Sequence, residues 1–455
     1  MQKIISINPA TEDINGEFDS FSEERIDLAI KKSRTAFSGW KKISISDRSE
    51  YLENAAKVLL KRKNELGKLI TSEMGKVKKE SISEIEKCAW VLEYFAENTS
   101  EFLEREIIET DANKSCIKFE PYGTILSIMP WNFPFWQAIR FAAPALAGGN
   151  VILLKHSSYV PLCAIELERV FLDAGFPEGV YQTLLIDGKT TSELICRNEI
   201  NGVSMTGSVS TGMKVAETCG KNLKKLVLEL GGSDPFIVLA DADIDKAANI
   251  AVEARFRNSG QSCINAKRFI VDESIVQEFT SMFVENTRKL KIGDPMDGNT
   301  DIGPLVREDQ IKILENQSND ALLKGAKVML EGERVDKKGF FYSPVILTDV
   351  TKDMLVMKEE TFGPVAPILS VKDEYEAIKI ANDSEFGLGA SIWSENIENA
   401  LLLGNNIEAG MVFINNLARS DPRLPFGGVK KSGIGRELSK FGLYEFMRTK
   451  SISIY

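Results

Sequence analysis

From Gly123 onward the sequence switches repeatedly between two periods, and that switching limits the possible folds more than any other feature. Short apolar runs, GTILSIMP, VILLK, GVYQTLLI, INGVSMTG and KLVLELGG, read as buried strands. Between them lie helical segments, AIRFAAPALAGG, PLCAIELERVFLDAG, TSELICRN and TGMKVAETCG. Strand and helix in strict alternation predict a parallel sheet with crossover helices. A second α/β stretch starts after Gly232, with PFIVLA, ANIAVEARFRNSG, KRFIVD, a long amphipathic helix from Ile275, AKVMLEG, APILSV and YEAIKIANDSEFGLGASIW. Before all this, Glu23 to about Glu104 carries apolar residues at three- and four-residue spacing and reads as several surface helices. CIKFEPYG and the tail RTKSISIY alternate like exposed strands, and together suit an edge that adds to another subunit.

At 455 residues the chain has room for two or three domains. Its net charge of −10, with both signs interspersed, speaks against nucleic acid or an acidic membrane as partner. The first residues, MQKIISINPATEDING, lack the apolar core of a secretory signal, and no apolar run is long enough to span a bilayer. A cytoplasmic protein is expected. The six cysteines have no CxxC spacing, so reduced thiols are expected rather than a disulfide framework or zinc site.

One histidine in the whole chain, His156, is a severe restriction. A multi-histidine metal site is impossible and no metal is expected. Acid–base work falls to carboxylates and lysines. His156 itself reads as a packing residue.

Three positions have the chemistry of acyl transfer. Cys263, in FRNSGQSCINAKR, sits between a Gly-Gln-Ser run and a basic flank; as nucleophile it would need a donor for the oxyanion and a base for water. Asn132, in PWNFP, has a carboxamide on a backbone held by two prolines. Glu229 ends the apolar run LVLE before Gly231 and Gly232, where desolvation would lift its pKa toward that of a general base. Taken singly, each also fits a cap or a loop end. Gly207 and Ser208, between a strand and a helix, offer backbone N–H groups and a helix N-terminus to a phosphate, although the spacing is not GxGxxG. SGIGREL matches two glycines of that pattern but has Leu438 at the third place.

NPAT, PWNFP, VILLKHSS, MTGS, LELGGSDP, GQSC, EETFGP and PFGGVKKSG, in this order, resemble the NAD(P)-dependent aldehyde dehydrogenase superfamily over nearly the whole chain, and within it the bacterial succinate-semialdehyde dehydrogenases. The resemblance implies an α/β fold with a Rossmann-like cofactor-binding domain (1–102 and 122–231), an α/β catalytic domain (232–433) and a small β oligomerisation element (103–121 and 434–455). It implies Cys263 as nucleophile, Asn132 and the Cys263 N–H as oxyanion holders, and Glu229 as the base for thioester hydrolysis. Lys155 and Glu360 would bind the two riboses, Gly207 and Ser208 the pyrophosphate, and Trp131 would line the cleft. Ser158 stands where many NAD-using members carry a glutamate that accepts from the ribose 2'-hydroxyl; a 2'-phosphate is then tolerated, so NADP is expected, with NAD usable. Asn265 replaces a second cysteine found in some relatives, which removes a disulfide switch.

The substrate follows from charge. Arg140 interrupts an apolar helix eight residues after Asn132, and Arg257 lies six residues before Cys263. Such an arginine commonly pairs with a glutamate or snorkels; two beside one pocket suit a carboxylate. Both resemble carboxylate-binding arginines of succinate-semialdehyde dehydrogenases, as Ser420 resembles a serine contact. A small aldehyde, succinate semialdehyde first and glutarate semialdehyde next, and a homodimer or homotetramer are expected. The rivals are a Cys-Glu-Lys amidase or nitrilase built from Lys155, Glu229 and Cys263, a CoA-acylating dehydrogenase, and a non-catalytic binding protein.

Overall fold

The computed structural model describes residues 3–335 and 337–455. Two doubly wound sheets dominate it. In the first, the order is Gly433–Ile434, Lys225–Glu229, Ile200–Thr206, Thr124–Met129, Val151–His156, Tyr181–Thr183, all parallel except the two-residue edge. The chain lays down three strands outward from Thr124–Met129, then returns to its other side. That reversal makes the gap beyond the C-terminal ends of Thr124–Met129 and Ile200–Thr206 a switch point, where sheets of this kind bind ligands.

Neighbouring strand residues serve opposite layers, as a period of two requires. Ile125 and Ile152 pack into a core with the helices Ile45–Met74, Lys78–Phe102, Pro134–Ala147 and Pro161–Asp173. Leu126 and Leu153 face the opposite core, closed by Glu23–Trp40, Gly188–Ile195 and Val209–Lys221. The early helices are thus amphipathic walls of the core rather than surface additions. Their ends are marked in the sequence: Ser44 Oγ caps Ile45–Met74 by accepting from Asp47 N at 3.1 Å, and Gly75 ends it at φ 82°.

The second sheet runs Lys327–Leu330, Val345–Thr348, Val365–Val371, Ala266–Asp272, Asp234–Val238, Gly389–Trp393, Met411–Ile414, parallel except at its first strand. Ile237 and Ile270 feed one core, Phe236 and Phe269 the other. Lys114–Pro121 pairs in antiparallel register with Met447–Ile454, the two alternating segments of the sequence, and with Glu106–Ile108. Met447–Ile454 is one exposed edge of that three-stranded sheet, and Glu106–Ile108 the other.

Two elements differ from the sequence expectation. The run GVYQTLLI yields only the strand Tyr181–Thr183, because it sits at the end of the sheet with a single neighbour. The polar N-terminus, which has no strand-like alternation past Ile7, forms a hairpin of Lys3–Ile7 with Ile14–Asp19. Ser6 fixes it by donating to the buried Glu73 at 2.7 Å. Among the described residues no helix is long and apolar enough to cross a membrane.

Candidate active site

Four of the five parallel strands of the first sheet end at or near a residue with chemical potential. Thr124–Met129 delivers Trp131 and Asn132, Val151–His156 delivers Lys155 and Ser158, Ile200–Thr206 delivers Gly207 and Ser208, and Lys225–Glu229 ends on Glu229 itself. Ser208 caps the helix Val209–Lys221, so that helix points its free N–H groups at the switch point. Lys155 is partly buried, which lowers its pKa, and Ser158 is exposed beside it.

The second sheet brings its N-terminal edge to the same place. Leaving the helix Ile244–Phe256, the chain makes a left-handed turn, with φ of 53° at Asn258, 56° at Ser259 and 76° at Gly260. Non-glycine residues in that region are held there by their surroundings. Asn258 Nδ2 donates to the backbone oxygens of Asn132 and Gln261, both at 3.0 Å, and Gln261 Oε1 receives the N–H of Val306 at 3.0 Å. Asn265 Nδ2 donates to the carbonyls of Arg255 and Arg257 at 3.1 and 3.0 Å, so it pins the loop from the far side of Cys263.

Two glycines let the sheets meet. A side chain on Gly231 would begin 2.5 Å from Glu360 Oε2, and one on Gly232 would begin 2.7 Å from the Cys263 carbonyl. Glu360 accepts from Gly232 N at 3.1 Å and from Lys267 Nζ at 3.0 Å, while Lys267 also donates to Cys263 O at 2.6 Å. Lys267, wholly buried, thus ties the loop of the thiol to the carboxylate expected at the nicotinamide ribose. Trp131 meets Phe362 edge to face at 5.7 Å on the same side. Together, the helix N-terminus, the strand-end lysine and the glycine-bounded carboxylate fit a dinucleotide.

Cys263 is half-buried in the lining of a cavity of about 650 Å³ that it shares with Arg140, Arg257, Ser420, Lys87 and Trp136. Burial pushes its thiol up to about 12, against the opposite pull of Lys267 and Arg140. Burial thus favours the neutral thiol at rest. Asn132 Nδ2 donates to Gln261 O at 3.1 Å, two residues before the thiol, and keeps its second amide hydrogen.

Glu229 lies outside the lining of that cavity. Among the described residues neither carboxylate oxygen has a hydrogen-bond partner, and desolvation, then the nearby Glu437, hold its pKa well above the ordinary value. Such a carboxyl is poised to take a proton. Glu437 is ion-paired with Arg140, which also lies over the Phe426 ring at 4.3 Å. Arg140 therefore holds a structural partner as well as a place in the cavity, and among the described residues its Nη2 is buried without a partner.

His156 is a packing residue: its Nε2 meets Pro134 O at 2.9 Å, its Nδ1 accepts from Ser157 N, and burial lowers its pKa to about 4. The Cys-Glu-Lys rival does not assemble. Lys155 and Glu229 occupy strands three places apart, which puts their backbones about 14 Å from each other. Among the described residues no group of three metal-binding side chains occurs. Sequence reading missed Glu437, Lys267 and Lys87; each is a charged residue whose partner is remote in sequence or hidden in an ordinary motif.

Comparison with known proteins agrees with this geometry. The sequence profile described as "Aldehyde dehydrogenase family" matches residues 1–452. A Synechocystis protein named as a probable NADP(+) succinate-semialdehyde dehydrogenase is 46% identical over 451 residues, covering 99% of both chains. The Mycobacterium tuberculosis NADP(+) succinate-semialdehyde dehydrogenase 1 is 41% identical over 454 residues, again covering 99% of both. The crystal structure of succinic semialdehyde dehydrogenase from Streptococcus pyogenes in complex with NADP+ superposes with a TM-score of 0.97 at 37% identity, covering 99% of each chain.

Proposed function

The chain belongs to the aldehyde dehydrogenase family, and from that premise we propose that it oxidises succinate semialdehyde to succinate with NADP as hydride acceptor, NAD remaining usable. The observation that carries the substrate is the cavity in which Cys263 stands with Arg140, Arg257 and Ser420. A four-carbon semialdehyde places a carbonyl at the thiol and a carboxylate at the guanidinium groups. Glutarate semialdehyde, one methylene longer, is the nearest competitor.

The Cys263 thiol gives its proton to solvent water as its sulfur attacks the aldehyde carbon, and the oxyanion of the thiohemiacetal takes hydrogen bonds from Asn132 Nδ2 and the Cys263 N–H. When bound, NADP would supply the hydride acceptor, and loss of hydride from the adduct on Cys263 would leave a thioester. Glu229 then removes a proton from water as its oxygen attacks the thioester carbonyl, and the Cys263 sulfur leaves. Its raised pKa makes Glu229 a competent base for that step and a reservoir for the proton. Trp131, Lys155, Ser158, Gly207 and Ser208 near the strand ends, with Glu360 from the facing loop, would hold the dinucleotide. The exposed edge Met447–Ile454 supports pairing with a second subunit.

The test is a panel of succinate semialdehyde, glutarate semialdehyde and butanal, each with NADP and NAD, followed by absorbance of the reduced cofactor. The carboxylated aldehydes should exceed butanal in kcat/KM, and NADP should exceed NAD. Equal rates for succinate semialdehyde and butanal would overturn the substrate assignment.

A further inference from the structure

Arg140 and Arg257 are not the only cations in the cavity. Lys87, on the helix Lys78–Phe102, reaches it with its ammonium 2.7 Å from Ser420 Oγ and 4.4 Å from the centre of the Trp136 ring. An ammonium has three donors, and among the described residues Lys87 forms no ion pair and has one polar partner, the Ser420 hydroxyl. Among the described residues, its neighbours other than Arg257 are better matched. Arg140 is paired with Glu437. Arg257 opposes the upward shift that burial gives Glu80. On the helix of Lys87 itself, Glu84 is taken by Lys76 in a buried pair and by the N–H groups of Phe135 and Trp136. Across from it, Asp421 is held by Arg423 at 2.7 Å.

We propose that Lys87 is the third cation of the carboxylate subsite, shares the substrate carboxylate with Ser420, and makes recognition of carboxylated aldehydes depend on its own proton. The proposal rests on the substrate reading given above. Burial, then the charges of Arg257 and Arg140, pull Lys87 down to about 7, against weaker upward effects of Cys88 and Asp421. In the free enzyme the ammonium is thus lost as pH rises through about 7. A bound carboxylate favours the charged form. Succinate semialdehyde, ionised throughout this range, therefore binds with proton uptake, whereas butanal does not.

The experiment measures kcat/KM for succinate semialdehyde and for butanal across this pH range and takes their ratio, which cancels titrations common to both, such as those of Cys263 and Glu229. In the wild-type enzyme the ratio should fall as pH rises through about 7. Lys87→Arg, charged at every pH used, should keep a high ratio with no such fall. Lys87→Met should lower the ratio at acid pH on the order of 10-fold or more, as for a lost hydrogen bond to a charged group, and flatten it. A Lys87→Met ratio equal to wild type, or the same pH profile in Lys87→Arg as in wild type, would overturn the role of Lys87 while a wild-type preference for the carboxylated aldehyde leaves the substrate reading standing. No wild-type preference at any pH would remove both.

Discussion

Replacing Arg140 by methionine tests its two connections, one to Glu437 and the one proposed to substrate. Arg140 is 2% exposed, Glu437 3% and Glu229 2%, so the energies of buried rather than surface ion pairs apply. Breaking such a pair from one side strands a carboxylate and costs about 3–5 kcal/mol, against 0–1 for an exposed pair. The double change Arg140→Met with Glu437→Leu removes both charges and should cost much less than the single change. Burial already raises the pKa of Glu437, so without Arg140 the folded state binds more protons than the unfolded one. The stability deficit of Arg140→Met must then shrink on acidification and grow as pH rises. Thermal melting of the three proteins at several pH values reads this directly. The same proteins assayed with succinate semialdehyde and butanal should show lost selectivity in both variants, because stability is restored in the double variant but the guanidinium is not. A single variant as stable as the double, with a pH-independent deficit, would refute the charge argument; selectivity regained in the double variant would refute the substrate contact.

Two further outcomes follow from the site. Ser158→Glu should shift the ratio of kcat/KM values from NADP toward NAD, since a carboxylate at this exposed strand end accepts from a 2'-hydroxyl and repels a 2'-phosphate; an unchanged ratio would place the adenosine reading elsewhere. With the Cys263 thiol pushed up to about 12, inactivation of cofactor-free enzyme by iodoacetamide should accelerate steadily, about tenfold per pH unit from pH 7 to 9, and a plateau near neutrality would mean that the thiolate is already formed.

Much of the frame was legible because it depends on local patterns. Alternating periods gave both parallel sheets, and residues at or just past strand ends, Asn132, Lys155, Gly207 and Ser208, fell where a doubly wound sheet gathers its ligands. Cys263 was legible from its glycine and serine neighbours and from the family resemblance. Lys87 was not, because IEKCAW reads as one turn of an ordinary charged helix; its partner Ser420 is 333 residues away. Glu437 was hidden for the same reason. It lies in the SGIGREL run, and the strand pair Gly433–Ile434 with Leu228–Glu229 carries this segment past Glu229. Lys267 follows the thiol by only four residues, yet nothing local says that its ammonium turns back to Cys263 O and Glu360. Long-range burial, not sequence period, decides which charges become parts of a site.

The covalent role of Cys263 with Glu229 as hydrolytic base is the centre of the account, and a pre-steady-state experiment on Glu229→Gln with substrate and cofactor in excess tests it most directly. Mixing this variant with succinate semialdehyde and NADP should release one equivalent of NADPH in a burst, followed by slow turnover, and peptide mass spectrometry should find a succinyl thioester on Cys263, with neither signal in Cys263→Ala. A variant that forms no burst and no adduct, or an adduct on another residue, would contradict it.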